Sequence, residues 1–192
     1  MSPLKLHMDD LVSQHERHLK TKALDPVEYL LLLLSGLLLF GFTTTVFLDV
    51  TTRLAQSPIL WLQEATIAMF IWGVFIGASA ALRRREHFVV VALTSKAGKT
   101  RRYATETVNG VVILVIGAVT AWFGYQNFQQ GFGNHLPVTR LPLSIMTGAI
   151  PVFGVLVAVF AVERLSQGWR HGFEPREGDA VTELERAQEV WE

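Results

Sequence analysis

The chain has 192 residues, half of them hydrophobic, and a formal net charge of zero at neutral pH. Mean hydropathy is +0.32 and the apolar residues lie in four long blocks, which is typical of a membrane protein and argues against a soluble domain. The neutral charge gives no reason to expect a nucleic-acid partner, and the absence of cysteine excludes disulfides, thiolate catalysis and iron–sulfur clusters.

The first 24 residues are predicted to form a cytoplasmic amphipathic segment. Its apolar residues fall on one helical face, as expected for a helix that lies on a membrane surface, and a frayed tail is the alternative. The first span is predicted at residues 27–50, and its start carries three signals of a helix N-terminus. Asp25 is placed to cap the helix, Pro26 suits its first position, and Glu28 follows the cap by three residues.

Three further spans are predicted at residues 59–82, 107–128 and 142–165. The second follows a short loop, so it should be an antiparallel neighbour of the first. At about 1.5 Å per residue it reaches roughly 36 Å, enough to cross a hydrocarbon core of about 30 Å. The fourth begins at Pro142 and contains Pro151, which predicts a kink in the helix.

Small residues predict where helices approach one another closely. The third span carries them on a single helical face, made of Gly110, Gly117, Ala121 and Gly124. In the second span Gly73 and Gly77 lie four residues apart, so they share a face as well. The spacing of this pair does not decide whether its neighbour is a helix of this chain or of a partner subunit.

The orientation of the spans follows from the Lys and Arg residues outside them. There are four in the N-terminal segment, one in the first loop, seven in the second, one in the third and four from Arg164 onward. The positive-inside rule assigns the richer segments to the cytoplasm. The predicted fold is therefore an all-α membrane protein with four transmembrane helices and both termini cytoplasmic. Amphipathic surface helices are expected at the termini and in the second loop, and the domain limits are 1–24, 25–165 for the transmembrane domain and 166–192 for an acidic tail.

Glu64 is the most informative ionisable residue, because it lies about one and a half turns into the second span. A carboxylate at that depth is costly unless it faces protein or water. Three interpretations are open: an interfacial carboxylate that reaches outward beside Trp61, a contact to a partner subunit, or an ion or proton site.

Three consecutive arginines, Arg83, Arg84 and Arg85, end the second span, and we interpret them as an anchor to membrane lipid headgroups. The six histidines all lie outside the predicted spans, which argues against intramembrane haem and against a redox-enzyme membrane anchor. No cofactor or metal site is expected. A four-helix membrane enzyme, such as the glutathione-dependent eicosanoid type, is the other alternative, but the spans lack an arranged set of tyrosine and arginine residues.

Several motifs together resemble one protein family. The second span opens with Trp61-x-x-Glu64, continues with an aromatic–glycine–small run at residues 70–81, and ends in Arg-Arg-Arg-Glu-His. The fourth span opens with proline and contains Ile150-Pro151. In this order the motifs resemble the small membrane subunit of tripartite ATP-independent periplasmic (TRAP) transporters, the DctQ-like family.

The resemblance implies a non-catalytic subunit in a bacterial inner membrane, within a sodium-coupled transporter of organic acids. It implies two protein partners, a large membrane subunit that carries the transport site and a periplasmic substrate-binding protein. On this hypothesis the outer loops 56–61 and 131–140 face the binding protein. The expected partner contacts are Trp61, Glu64, Gly73, Gly77 and Arg140.

Overall fold

The computed structural model describes residues 21, 24–84 and 99–171. Its elements are α1 (Asp25–Leu54), α2 (Trp61–Arg84), α3 (Lys99–Gln130), the short α4 (Ser144–Thr147) and α5 (Ala149–His171). Within these described residues, four helical stretches are long and apolar enough to cross a membrane, with α4 and α5 together forming the fourth. This confirms the predicted all-α membrane fold with four spans. The surface helices predicted at the termini and in the second loop lie outside the described residues.

The start of α1 differs from the prediction. Asp25 is the first helical residue, the residue at the N-cap position is Leu24, and no side chain caps the helix there. The carboxylates of Asp25 and Glu28 point instead at Arg83 of α2. The sequence signals therefore predict the helix start correctly, but the acidic side chains form a contact between helices.

The fourth span begins later than predicted. Pro142 lies in the preceding hairpin, where it forms an isolated antiparallel bridge with His135, and helix α4 begins at Ser144. The regular helix is interrupted at Gly148, three residues before Pro151, which agrees with a proline that lacks an N–H and crowds the preceding turn. The indole N–H of Trp72 in α2 donates to the carbonyl of Ile145 at 2.8 Å, so a neighbouring helix serves a backbone group beside this interruption.

The long helices lie in a row in the order α1, α2, α5, α3. Most packing occurs within two antiparallel pairs, α1 with α2 and α3 with α5, and the contact between α2 and α5 joins the pairs. The span formed by α4 and α5 is the most buried of the four described spans, with 39% of its most apolar stretch buried, against 11% for α1 at one end of the row. The row therefore leaves two broad apolar faces uncovered by the described chain.

Glycines set the spacing within both pairs. A Cβ added to Gly117 would lie 2.8 Å from the backbone nitrogen of Ala158, and one added to Gly124 would lie 2.8 Å from that of Pro151. The predicted close approach to the third span is therefore confirmed, with α5 as the neighbour. Gly73 and Gly77 face α1 less tightly, since added Cβ atoms would lie 3.6 Å from the Leu38 Cβ and 3.0 Å from the Ser35 Oγ.

Candidate functional site

Arg83, at the end of α2, is the centre of a buried ion network. Its Nε and Nη2 donate to Glu163 of α5 at 3.1 and 3.0 Å. Its Nη1 donates to Glu28 of α1 at 2.6 Å, and its Nη2 also donates to Asp25 at 3.2 Å. The side chains of Arg83, Glu28 and Glu163 are only 2%, 0% and 5% exposed. We call these four residues the Arg83 clamp.

The geometry of the Arg83 clamp suits arginine in particular. The planar guanidinium fork matches the two oxygens of Glu163, and it still has donors for a second carboxylate and for backbone carbonyls. Nη1 donates to the carbonyl of Leu24 at 3.0 Å and Nη2 to that of Thr21 at 3.2 Å. The Phe160 ring lies under the guanidinium, 5.7 Å from centroid to Cζ. A buried cation is thus surrounded by acceptors, which offset the cost of removing it from water.

The Arg83 clamp also fixes the chain where it enters α1. The backbone N–H of Thr21 donates to Glu163 at 2.6 Å, and the Gln167 side chain donates to the Thr21 hydroxyl at 3.1 Å. On the other side of α5, Arg164 pairs with Glu106 of α3. Because Glu163 and Arg164 are adjacent in sequence and face opposite neighbours, ion pairs connect all four long helices at this end of the row.

Glu64 forms a different contact at the opposite end of α2. Its Oε1 accepts the backbone N–H of Val138 at 2.8 Å, and its Oε2 accepts both the N–H and the hydroxyl of Thr139, at 2.9 and 2.6 Å. The residue is 8% exposed. We call Glu64, Val138 and Thr139 the Glu64 clamp. The carboxylate does not reach outward into solvent, because three donors from the loop between α3 and α4 hold it.

Both clamps join the two helix pairs. The Glu64 clamp connects α2 to the loop that follows α3, and the Arg83 clamp connects α2 to α5. Between them, the Trp72 hydrogen bond and a ring contact of Phe75 with Phe153, 5.3 Å between centroids, join the pairs in the middle. These contacts hold the helices of the two pairs together.

The structure places the remaining predicted site residues in different surroundings. Trp61 is 52% exposed at the start of α2, and Arg140 is exposed in the loop with a positive φ of 59°. Gly73 and Gly77 face α1 of the same chain, so the small-residue stripe is used inside the subunit. The roles of Trp61 and Arg140 as partner contacts stay predictions.

The three consecutive arginines at the end of α2 do not share one environment. The predicted surface position does not hold for Arg83, because its side chain lies among carboxylates inside the row. Successive helical residues point about 100° apart, so a run of three arginines cannot face one environment. Arg84 is half-buried and Arg85 lies outside the described residues, so lipid anchoring by these two stays a prediction.

Asp25, Glu28 and Glu163 are members of the Arg83 clamp that were not predicted from the sequence. A signal was present, since all three acids lie at span ends that share the predicted cytoplasmic side with the arginine triplet. Across the described ranges, no group of three or more His, Cys, Asp or Glu residues is arranged to hold a metal ion.

Comparisons with known proteins identify relatives of the chain. The family model for the DctQ component of tripartite ATP-independent periplasmic transporters matches residues 42–171, more than half of the 192 residues. A candidate TRAP transporter small permease protein of Haemophilus influenzae is 26% identical over 121 residues, covering 62% of this chain and 75% of the relative. The sialic acid TRAP transporter small permease protein SiaQ of Vibrio cholerae is 26% identical over 116 residues, which cover 60% of this chain and 66% of the relative. The matched family range contains Glu64, Arg83 and Glu163.

Proposed function

The chain belongs to the DctQ component family of tripartite ATP-independent periplasmic transporters, and we propose that it is the static scaffold of a sodium-coupled transporter of organic acids. As a member of this family it is a small permease subunit, a multi-pass protein of the inner membrane and not an enzyme. The membrane enzyme and the redox anchor considered from the sequence are thereby set aside. The scaffold role, the sodium coupling and the substrate class are the proposal.

One observation carries the scaffold proposal: the charged groups of the described spans lie at the helix ends, and the apolar row between them has none. The buried charges Glu64, Arg83 and Glu163 are engaged in contacts that hold helices together. An ion or an organic anion crossing the membrane needs polar or charged groups near the middle of the bilayer. Such groups would therefore belong to the large membrane subunit, and this chain would support that subunit while it moves.

We assign the large subunit to the face of the row that carries Phe42 and Phe70. These rings contact each other across α1 and α2 at 5.5 Å between centroids. Phe70 points about 200° away from Trp72 around α2, and Trp72 lines an apolar groove on the other face together with Val152 of α5. Helix α1 at this end of the row has the smallest buried share of the described spans, 11% against 17% for α3 at the other end, and we assign its exposed surface to the same interface.

Co-purification tests the assembly. The tagged chain is extracted from its native membrane in a mild detergent, and the proteins recovered with it are identified by mass spectrometry. The proposal predicts a large, many-span membrane protein in near-equal amount. Recovery of the chain alone or as a homo-oligomer in the same detergent would contradict it.

Photo-cross-linking tests the choice of face with a matched pair of positions. A photoreactive phenylalanine analogue is placed either at Phe70 on one face or at Val155 on the opposite face, since Val155 points only about 60° away from Val152 around α5. Both residues are 53% exposed. The proposal predicts a cross-link to the large subunit from position 70 and none from position 155. The reverse pattern would move the interface to the α5 side and reject our assignment.

A further inference from the structure

The loop between α3 and α4 folds as a compact hairpin at residues 134–143. The N–H of Leu136 donates to the carbonyl of Leu141 at 2.8 Å, and that of Leu143 donates to Asn134 at 2.8 Å. At the tip, the N–H of Arg140 donates back to the carbonyl of Leu136 at 3.2 Å. The backbone of the tip is thus hydrogen-bonded, which distinguishes it from an open connecting loop.

Glu64 of α2 restrains the tip of this hairpin through hydrogen bonds to its backbone. Its carboxylate binds two consecutive backbone N–H groups, those of Val138 and Thr139, together with the Thr139 hydroxyl. Two oxygens bound to neighbouring peptide groups fix the orientation of the backbone immediately before Arg140. Hydrogen bonds to an ionised acceptor are about twice as strong as neutral ones, so this is a firm restraint on a short loop.

Arg140 combines an unfavourable backbone with an available charge. Its φ of 59° is in the left-handed region, which costs a non-glycine residue on the order of 1–3 kcal/mol. Its side chain is exposed, and the described part of the chain provides no carboxylate for it. The other fixed charges at this end are engaged, Asp49 with Arg53 at 3.0 Å and Glu64 with the hairpin. Arg140 therefore combines a positive φ with an exposed guanidinium that no carboxylate of the described residues pairs.

We propose that Arg140 is a docking contact for a carboxylate-rich surface of the periplasmic substrate-binding protein, and that Glu64 is the positioning residue that holds Arg140 in its docking conformation. This inference rests on the proposed function, since it needs a binding protein that docks on the predicted periplasmic end of the row. Charge complementarity gives the partner chemistry, because an exposed cation at this end that no described carboxylate pairs is matched by an acidic face on the partner. Exposed Trp61, at the start of α2, adds a flat apolar surface at the same end of the helix that bears Glu64.

The test measures binding of the transporter's own substrate-binding protein to the complete transporter in nanodiscs of neutral lipid. Arg140→Ala should weaken binding by about tenfold, and Arg140→Glu should weaken it more, because a charge of the same sign as the partner surface repels it. Arg140→Lys should retain part of the affinity. Arg53→Ala is the matched control, since it removes an exposed arginine that is already paired with Asp49, and it should leave binding unchanged.

A double-mutant cycle tests the positioning role of Glu64. Glu64→Gln removes the negative charge and one acceptor, and should weaken binding about threefold to tenfold in the native background. In the Arg140→Ala background the same change should have no further effect, because the residue that Glu64 positions is gone. Additive losses would show that Glu64 acts by another route. Recovery of the large subunit with each variant shows whether the fold and the assembly are intact.

The outcomes separate the two proposals. If the transporter binds its binding protein and Arg140→Ala has no effect, the inference is overturned while the scaffold function stands. If the native transporter does not bind the protein at all, the inference fails together with the proposed place of this chain in a transporter that uses a binding protein. If Arg140→Ala changes only association with vesicles of anionic lipid, the arginine is a lipid contact and the inference is overturned.

Discussion

The two ends of α2 both join the helix pairs through a buried charged residue, but the contacts that this residue makes differ. At one end Arg83 binds carboxylates from α1 and α5, so the contact consists of ion pairs between side chains of three helices. At the other end Glu64 accepts from backbone N–H groups of a loop, so the contact consists of hydrogen bonds between a side chain and the main chain. Each is a buried charge with several partners, and each joins the α1–α2 pair to the α3–α5 pair.

The difference indicates what each end is for. The Arg83 clamp fixes the relative positions of helices, so its loss should destabilise the whole row. The Glu64 clamp fixes the conformation of a hairpin, so its loss should destabilise mainly that hairpin. A row joined at both ends is suited to a scaffold, while a shaped loop at one end is suited to recognition of a partner.

The largest expected effect comes from Arg83→Ala, which withdraws the guanidinium from buried Glu28 and Glu163. Breaking a buried ion pair by removing one partner typically costs about 3–5 kcal/mol, so the variant should lose stability in thermal denaturation of the detergent-solubilised protein. Arg53→Ala, which removes an exposed arginine from its pair with Asp49 four residues away, should cost no more than about 0.5 kcal/mol. Equal stability of the two variants would show that the Arg83 clamp does not hold the row.

Glu64→Gln should produce a smaller and more local effect, on the order of 1.5–3 kcal/mol, the range for hydrogen bonds to charged groups. Hydrogen–deuterium exchange should become faster in residues 134–143 and stay unchanged around Arg83. Gln63→Ala, which changes the exposed neighbouring residue, is the control. Faster exchange along the whole row would contradict the division of roles between the two ends.

The glycine contacts test the middle of the row. Gly124→Ala places a methyl group 2.8 Å from the backbone nitrogen of Pro151, and overpacking of this kind costs about 1–3 kcal/mol. Gly73→Ala meets the Leu38 Cβ at an ordinary 3.6 Å and should be tolerated. The thermal stability of the two variants in detergent gives the comparison, and a greater loss from Gly73→Ala would contradict the packing described for the two pairs.

Trp72→Phe should have the smallest effect. It removes the indole hydrogen bond to the Ile145 carbonyl and keeps the ring that packs beside it. Hydrogen bonds between membrane helices are worth about 0.6 kcal/mol on average, so the loss of thermal stability should be near the limit of detection. A loss as large as that of Arg83→Ala would mean that the two pairs are joined mainly at the middle.

The sequence predicted the four spans well because hydropathy and length constrain a membrane helix strongly. It also located Glu64 and the arginine triplet as unusual residues. It could not identify their partners, because the contacts of Glu64 lie 74 and 75 residues away in a loop, and those of Arg83 lie 55 and 80 residues away in other helices. Which arginine of three faces inward depends on helix rotation, and that is set by packing.

The start of the fourth span shows the same limit. Proline at position 142 favours a helix start as well as a turn, and only the pairing of His135 with Pro142 in the hairpin decides between them. The glycines of the third span were a safer guide, because a small-residue face in a membrane helix has few uses other than close packing.

A distance between α1 and α3 tests the central claim, that two clamped pairs form an open row, most directly. The chain has no cysteine, so Phe40→Cys and Val115→Cys provide two unique sites for spin labels, at residues that are 71% and 55% exposed. Three helix-to-helix steps of about 8–10 Å each predict a single narrow distribution near 24–30 Å in the purified complex, unchanged when sodium is replaced by potassium. A distance of about 10–14 Å, as across a closed four-helix bundle, or a shift with sodium would contradict a rigid row.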